Sequence, residues 1–156
     1  MKNNVGIGFD THRLIKNGDL IIGGVIIDNN WTLEADSDGD VLIHAIIDSL
    51  LGGAGLGDIG HYFNKSNLIH SSMQMLKQIN ELLADCNWSI NNIDCTVISQ
   101  QFYIKEYSQE MKNTISLNLG INTNQINIKG KSSNGLGFIG NNEGISAIAI
   151  STIFKK

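Results

Sequence analysis

Three residues of this chain have types and spacing suited to holding a metal ion: Asp10, His12 and His44. Asp10 and His12 end the stretch Val5-Gly6-Ile7-Gly8-Phe9-Asp10-Thr11-His12, which alternates as a β-strand does. Positions two apart on a strand share a face, so a carboxylate and an imidazole stand side by side. Gly6 and Gly8 lie on that face and are expected to keep it open, with Val5, Ile7 and Phe9 on the other. His44 belongs to residues 34–60, where the acidic loop Asp36-Ser37-Asp38-Gly39-Asp40 runs into an apolar helix. A histidine one turn inside a helix that starts among three aspartates is placed for metal or phosphate chemistry. Each piece read alone has a plainer account, as a polar strand end or a capped core helix with a hydrogen-bonded histidine. Together they give one aspartate and two histidines. Three protein ligands with an open fourth position are the pattern of a catalytic zinc, and the open position would take a phosphate oxygen or water. Asp48 shares the His44 helix face and is a possible outer partner of the ligands.

The elements that must position these groups follow from pattern. Ser37 is the expected N-cap of the His44 helix, with Asp40 three positions on in a variant capping box. Val41, Leu42, Ala45, Ile46, Leu50 and Leu51 pack it into a core, and Gly52, Gly53, Gly55 and Gly57 end it. Residues 20–27 read as a hairpin turning on Gly23-Gly24. The glycine-rich turn at 55–63 either offers backbone N–H groups and the Asp58 carboxylate to a ligand or simply closes an Asx turn. A second helix spans 71–86 on the stripe Met73, Met75, Leu76, Ile79, Leu82 and Leu83, its methionines serving as core filler. A strand at 94–100, a helix at 103–119 stopped by Gly120, a strand at 125–131 and a polar turn at 132–135 come next. Residues 144–154 are apolar or small on both parities, Ile148, Ile150 and Phe154 one way and Ile145, Ala147, Ala149 and Ile153 the other. Such a strand needs both faces covered. The long helices are too few to cover both faces of a four- or five-stranded sheet, so the sheet is expected to pack against another subunit. No repeat or linker divides the 156 residues, which read as a single domain.

Composition narrows the partners. The net charge of −4 argues against broad nucleic-acid binding, and Arg13 is the single arginine. A phosphate ligand must therefore be met by lysine, backbone N–H groups, helix ends or metal. Cys86 and Cys95 fit no paired-cysteine spacing and read as reduced, buried thiols of a cytoplasmic protein. No export signal or long apolar run points to secretion or a membrane span; residence in an organelle stroma after loss of a targeting segment is the other option. His61 and His70 read as surface histidines, Trp31 and Trp88 as packing residues, and Lys155-Lys156 as a solvated tail.

In order along nearly the whole chain, the motifs Gly6-x-Gly8-Phe9-Asp10-x-His12, Ser37-Asp38-Gly39-Asp40-Val41-x-x-His44-Ala45, Leu56-Gly57-Asp58-Ile59-Gly60, Leu136-Gly137-Phe138-x-Gly140 and Glu143-Gly144-Ile145 resemble those of 2-C-methyl-D-erythritol 2,4-cyclodiphosphate synthases. The first three motifs together are highly specific. The resemblance implies an α+β fold (an α/β sandwich), a mixed β-sheet with helices packed on one face, assembled as a homotrimer around a three-fold axis with active sites between subunits. It implies a lyase of the non-mevalonate isoprenoid pathway that cyclises 4-diphosphocytidyl-2-C-methyl-D-erythritol 2-phosphate and releases CMP. The 2-phosphate attacks the β-phosphorus, so two anionic groups must be brought together.

By position, the resemblance makes Asp10, His12 and His44 ligands of Zn2+ or another divalent transition metal. A second divalent ion, such as Mg2+ or Mn2+, accompanies the substrate diphosphate. Asp10, Thr11 and His12 line the substrate site. Ser37 lies beside its phosphates, and Asp58, Ile59 and Gly60 hold its ribose and erythritol parts. Ser99 and Gln100 fall in the cytidine segment, while Ser132, Ser133, Asn134, Phe138 and Asn141 complete the substrate-binding set. Asp36 and Ser132 occupy the positions that support the transition state. The chain departs from the family pattern in five places. Asp36 replaces a histidine and Asn134 a glutamate. Asn64-Lys65-Ser66-Asn67 replaces a loop ending in two aspartates. Phe102-Tyr103 replaces a proline-lysine pair, and Asn141 replaces an arginine at the central cavity. These departures support a second reading, a catalytically impaired trimeric zinc-binding homologue or isoprenoid binder; a third, an unrelated small metal-dependent phosphohydrolase, would share the triad but release inorganic phosphate instead of CMP.

Overall fold

The computed structural model describes residues 3–67 and 69–155. Its longest strand, β1 (Asn3–Lys16), carries the predicted alternation and extends it at both ends. It pairs antiparallel with β7 (Gly144–Lys155), setting Gly8 opposite Ala149 and Asp10 opposite Ala147. Its last residues pair antiparallel with β4 (Trp31–Leu33). On the other side of β7 lies β5 (Trp88–Ile98), antiparallel to it and parallel to the edge strand β6 (Ile126–Lys131). The result is a mixed five-stranded sheet in the order β4-β1-β7-β5-β6. A separate hairpin, β2 (Leu20–Ile22) and β3 (Val25–Asp28), turns on Gly23-Gly24 as expected, both glycines at positive φ.

Helices α1 (Val41–Ala54), α3 (Ser72–Asp85) and α4 (Ser108–Leu119) pack against the sheet. Two one-turn helices, α2 (Ile59–Tyr62) and α5 (Gly137–Gly140), complete the set. The core between the layers contains Leu42, Ile46, Leu76, Ile79, Ile93 and Ile153, each almost fully buried. Each such side chain contributes about 1.5–3 kcal/mol on burial. The other sheet face is bare in the single chain. Val5, Ile7, Phe9 and Ile150 are 67%, 69%, 56% and 42% exposed, and the parity expected for the last strand holds.

Several local expectations are corrected. Gly6 and Gly8 do not keep the strand face open; they let α1 lie directly on it. A Cβ on Gly6 would stand 1.8 Å from the Ser49 carbonyl oxygen, and one on Gly8 1.9 Å from that of Ala45. The N-cap of α1 is Asp40, whose carboxylate accepts the Ile43 N–H, and not Ser37. Gly52 and Gly53 lie inside α1, and Gly55, at φ 72°, closes it. The helix expected over 103–119 is broken at Tyr107 into a 3-10 turn, Ile104–Glu106, and α4. Ile104 is held there against Gly130, where an added Cβ would come within 2.9 Å. The strand expected at 94–100 starts six residues earlier, at Trp88. Lys155 is not a solvated tail: its ammonium donates to the Cys86 carbonyl and lies 4.7 Å from the centre of the Trp88 ring. Lys156 is outside the described residues.

Candidate metal centre

The close contact between β1 and α1 decides the site. Asp10 and His12 leave β1 on the face that α1 covers, and His44 leaves the first turn of α1 toward them. Asp10 Oδ2 lies 2.9 Å from His12 Nε2 and 3.1 Å from His44 Nδ1, and the two nitrogens are 3.4 Å apart. A tetrahedral ion with bonds of about 2.0–2.1 Å sets its ligand atoms about 3.3 Å apart. The three donors therefore already form one face of such a coordination shell, and they are mixed N and O ligands of the kind zinc accepts.

The far side of each ring is also held. The His12 Nδ1–H donates to the Glu34 carbonyl at 3.0 Å. The His44 Nε2 faces the Ser72 hydroxyl at 2.8 Å. Both inward nitrogens are thereby aimed at Asp10. Without metal, the hydrogen bond to Asp10 raises the His12 pKa above its ordinary value against the opposing effect of burial. Burial pushes the Asp10 carboxyl up, but hydrogen bonds from His12 and His44 and their charge bring it below the usual carboxylate range.

A pocket of about 440 Å³ opens on the triad, lined also by Asp36, Ser37, Ile59, Gly60, Phe63 and Lys65. Its floor includes Met75, so one of the methionines read as core filler borders the site. Asp48 does not back His44. Its carboxylate accepts the Ile59 N–H at 2.7 Å and so ties the 55–63 turn to α1. Asp58 caps α2 by accepting the His61 N–H at 3.1 Å, the Asx arrangement.

The model of the YgbB family matches residues 3–154. The chain belongs to the YgbB family. Its relatives carry the name that the motifs pointed to: the 2-C-methyl-D-erythritol 2,4-cyclodiphosphate synthase of Clostridium acetobutylicum is 47% identical over 149 residues, 94% of this chain and 96% of the relative. IspF of Plasmodium falciparum, solved as a CDP complex, superposes with a TM-score of 0.89 at 34% identity, over 99% of this chain and 97% of that one. The bifunctional IspDF of Campylobacter jejuni superposes with a TM-score of 0.95 at 34% identity. That match covers 99% of this chain but 43% of the Campylobacter chain.

The remaining residues that the family resemblance singles out fall into two further groups. Ser99, Gln100 and Ser132 line a pocket of about 340 Å³ together with Phe102, Tyr103, Lys105 and Lys131. The adjoining turn is held by Gln100, which accepts the Gly135 N–H at 3.0 Å, and by Ser132, which donates to Asn134 at 3.2 Å. Thr11 and Phe138 line a third pocket, of about 300 Å³, which His12 also borders. Asn141 lies beyond it and donates to Glu143 at 3.4 Å. One chain thus brings Asp36, Ser37, Ile59 and Gly60 to the triad, sets the Thr11–Phe138 pocket against His12, and leaves the Ser99–Gln100–Ser132 pocket apart from it. Ser72 and the place of Lys65 escaped sequence reasoning. Ser72 follows Ser71, the N-cap of α3, and gives no signal of its own. Lys65 is in a loop whose path the pattern does not fix.

Proposed function

We propose that this chain cyclises 4-diphosphocytidyl-2-C-methyl-D-erythritol 2-phosphate to 2-C-methyl-D-erythritol 2,4-cyclodiphosphate and releases CMP, as a cytoplasmic enzyme of the non-mevalonate isoprenoid pathway. The observation that carries the reading is the convergence of Asp10, His12 and His44 at the head of a pocket, in a chain of this family.

Asp10, His12 and His44 would hold a divalent cation such as Zn2+. That cation would neutralise charge between the reacting phosphates and orient them for in-line attack. Every other task falls to the chain. Ser37 offers a hydroxyl beside the triad. Ile59 and Gly60 hold the erythritol end, and Asp58 binds a sugar hydroxyl. Ser99 and Gln100 receive the cytosine, largely through backbone groups. Ser132 and Ser133 offer hydroxyls to the diphosphate. Asn134 is the amide available to a second ion such as Mg2+ or Mn2+ that arrives with the substrate. Lys65, in the triad pocket, offsets part of the charge that Asp36 brings there.

The active unit is a homotrimer in which the cytidine pocket of one subunit faces the triad pocket of the next. Its support is the bare apolar sheet face and the separation of the two pockets within one chain. The test is CMP release from the cytidyl substrate with zinc and magnesium supplied. CMP and cyclic diphosphate, both lost in His44→Ala, are expected. Zinc binding without CMP from folded protein would favour the impaired homologue, to which Asp36 in the pocket is the pointer. Inorganic phosphate in place of CMP would mean a phosphohydrolase.

A further inference from the structure

His44 is held by a chain of groups that comes from a different helix. Ser72 is the first residue of α3 and is fully buried. Its main-chain N–H donates to Asp38 Oδ2 at 2.9 Å, and its hydroxyl donates to Asp38 Oδ1. A hydroxyl has one proton to give. Once that proton goes to the carboxylate, the Ser72 oxygen meets His44 Nε2, 2.8 Å away, as an acceptor. With a cation bound, His44 would therefore carry its proton on Nε2 and turn the Nδ1 lone pair to the ion, in place of its hydrogen bond to Asp10. Ser37 Oγ stands 3.4 Å from the same Nε2, too far to take its place. Asp38 is itself fixed: its N–H donates to the His70 carbonyl at 2.9 Å, and its carboxylate accepts the Asp40 N–H at 3.2 Å.

We infer that Asp38 and Ser72 are positioning residues for the metal centre, a carboxylate–hydroxyl–imidazole relay that sets the tautomer and orientation of His44. The inference rests on the proposed metal site. A partner of this kind typically changes metal affinity by roughly 10–100-fold. The plainer account is that Asp38 merely anchors the N-terminus of α3. Ser72→Ala separates the two, because it keeps the main-chain bond to Asp38 and the Ser71 cap while removing the acceptor of His44.

The experiment is competition of the purified protein with a chromophoric chelator for Zn2+, together with the visible spectrum of the Co2+-loaded form. Ser72→Ala is expected to weaken Zn2+ binding roughly 10–100-fold and to alter the Co2+ bands. Its metal-free melting temperature should stay within about 3 °C of the parent. Ser72→Thr, which retains the hydroxyl, should recover most of the affinity. Asp38→Asn, which loses the carboxylate, should weaken Zn2+ binding in the same direction as Ser72→Ala. The relay is wrong if Ser72→Ala binds Zn2+ like the parent, if both Ser72→Thr and Asp38→Asn fail to behave as stated, or if lost affinity is matched by equal loss of metal-free stability. A folded parent that binds neither ion overturns the metal reading itself, and the relay with it.

Discussion

At the scale of residues, the metal-free triad is already an ion pair, and this has a sign. The Asp10 pKa is lowered, so its contribution to stability is present above the ordinary carboxylate pKa and is lost as pH falls through the folded value. The His12 pKa is raised, so its contribution is present below about 6.5 and is lost as pH rises through the folded value. A cation can bind His12 only after displacing that proton. Apparent zinc affinity should therefore fall as pH is lowered through the raised His12 value, with proton release visible by calorimetry in buffers of different ionisation enthalpy. Binding that is independent of pH between about 5.5 and 8 would contradict the arrangement. Lys65 carries a second expectation. A unit charge about 4 Å from a phosphate in water-like surroundings is worth about 1 kcal/mol. Lys65→Gln should raise KM for the substrate by about fivefold and leave zinc affinity unchanged, as steady-state CMP release and chelator competition would measure.

At the scale of elements, two contacts hold the site together. One is the glycine seam between β1 and α1. Gly8→Ala would drive a Cβ into the Ala45 carbonyl, one residue from His44. The helix must then lift off the strand. That should destabilise the protein by about 3 kcal/mol or more and also separate His44 from Asp10 and His12. Denaturant melts and zinc titration should both move; a stable variant with normal affinity would mean that the seam does not set the triad. The other contact is Asp40, fully buried, which accepts the Gly23, Gly24 and Ile43 N–H groups at 2.9, 2.7 and 3.1 Å. Burial pushes its carboxyl up to about 6, and the three N–H bonds oppose this. Asp40→Ala leaves two buried donors and one half-buried donor without partners and should cost about 3 kcal/mol in a denaturant melt. These elements also show what the sequence made legible. Period-2 alternation and the Asp-x-His pair placed β1, and the apolar run placed α1 and His44. The capping and relay roles of Asp40, Asp38 and Ser72 were not legible. Asp, Ser and Gly in one acidic loop fit several caps equally well on local grounds. Only the approach of the β2–β3 turn and of α3 decides which carboxylate serves which helix.

At the scale of the whole molecule, the metal triad and the proposed assembly make separable demands. All three candidate ligands come from one chain, on two elements locked by the glycine seam. A monomer should therefore bind zinc. The proposed cytidine pocket is another matter, because Ser99, Gln100 and Ser132 line a cavity apart from the triad in the same chain. Turnover by the proposed route then needs a neighbour, and the surface proposed for docking is the exposed sheet face bearing Val5, Ile7, Phe9 and Ile150. Contiguous apolar side chains exposed to this degree on a sheet are an interaction site by their nature. Ile7→Glu with Phe9→Glu places two carboxylates on that face while leaving Gly6, Gly8, Asp10 and His12 on the opposite one. Light scattering should then show a monomer, against the trimer expected of the parent. Zinc affinity should stay close to the parent value, because the triad needs no partner. CMP release should be lost, because the pockets no longer meet. A monomeric variant that still turns over would confine the whole reaction to one chain, and a parent that is itself monomeric would leave the bare sheet face without its proposed role.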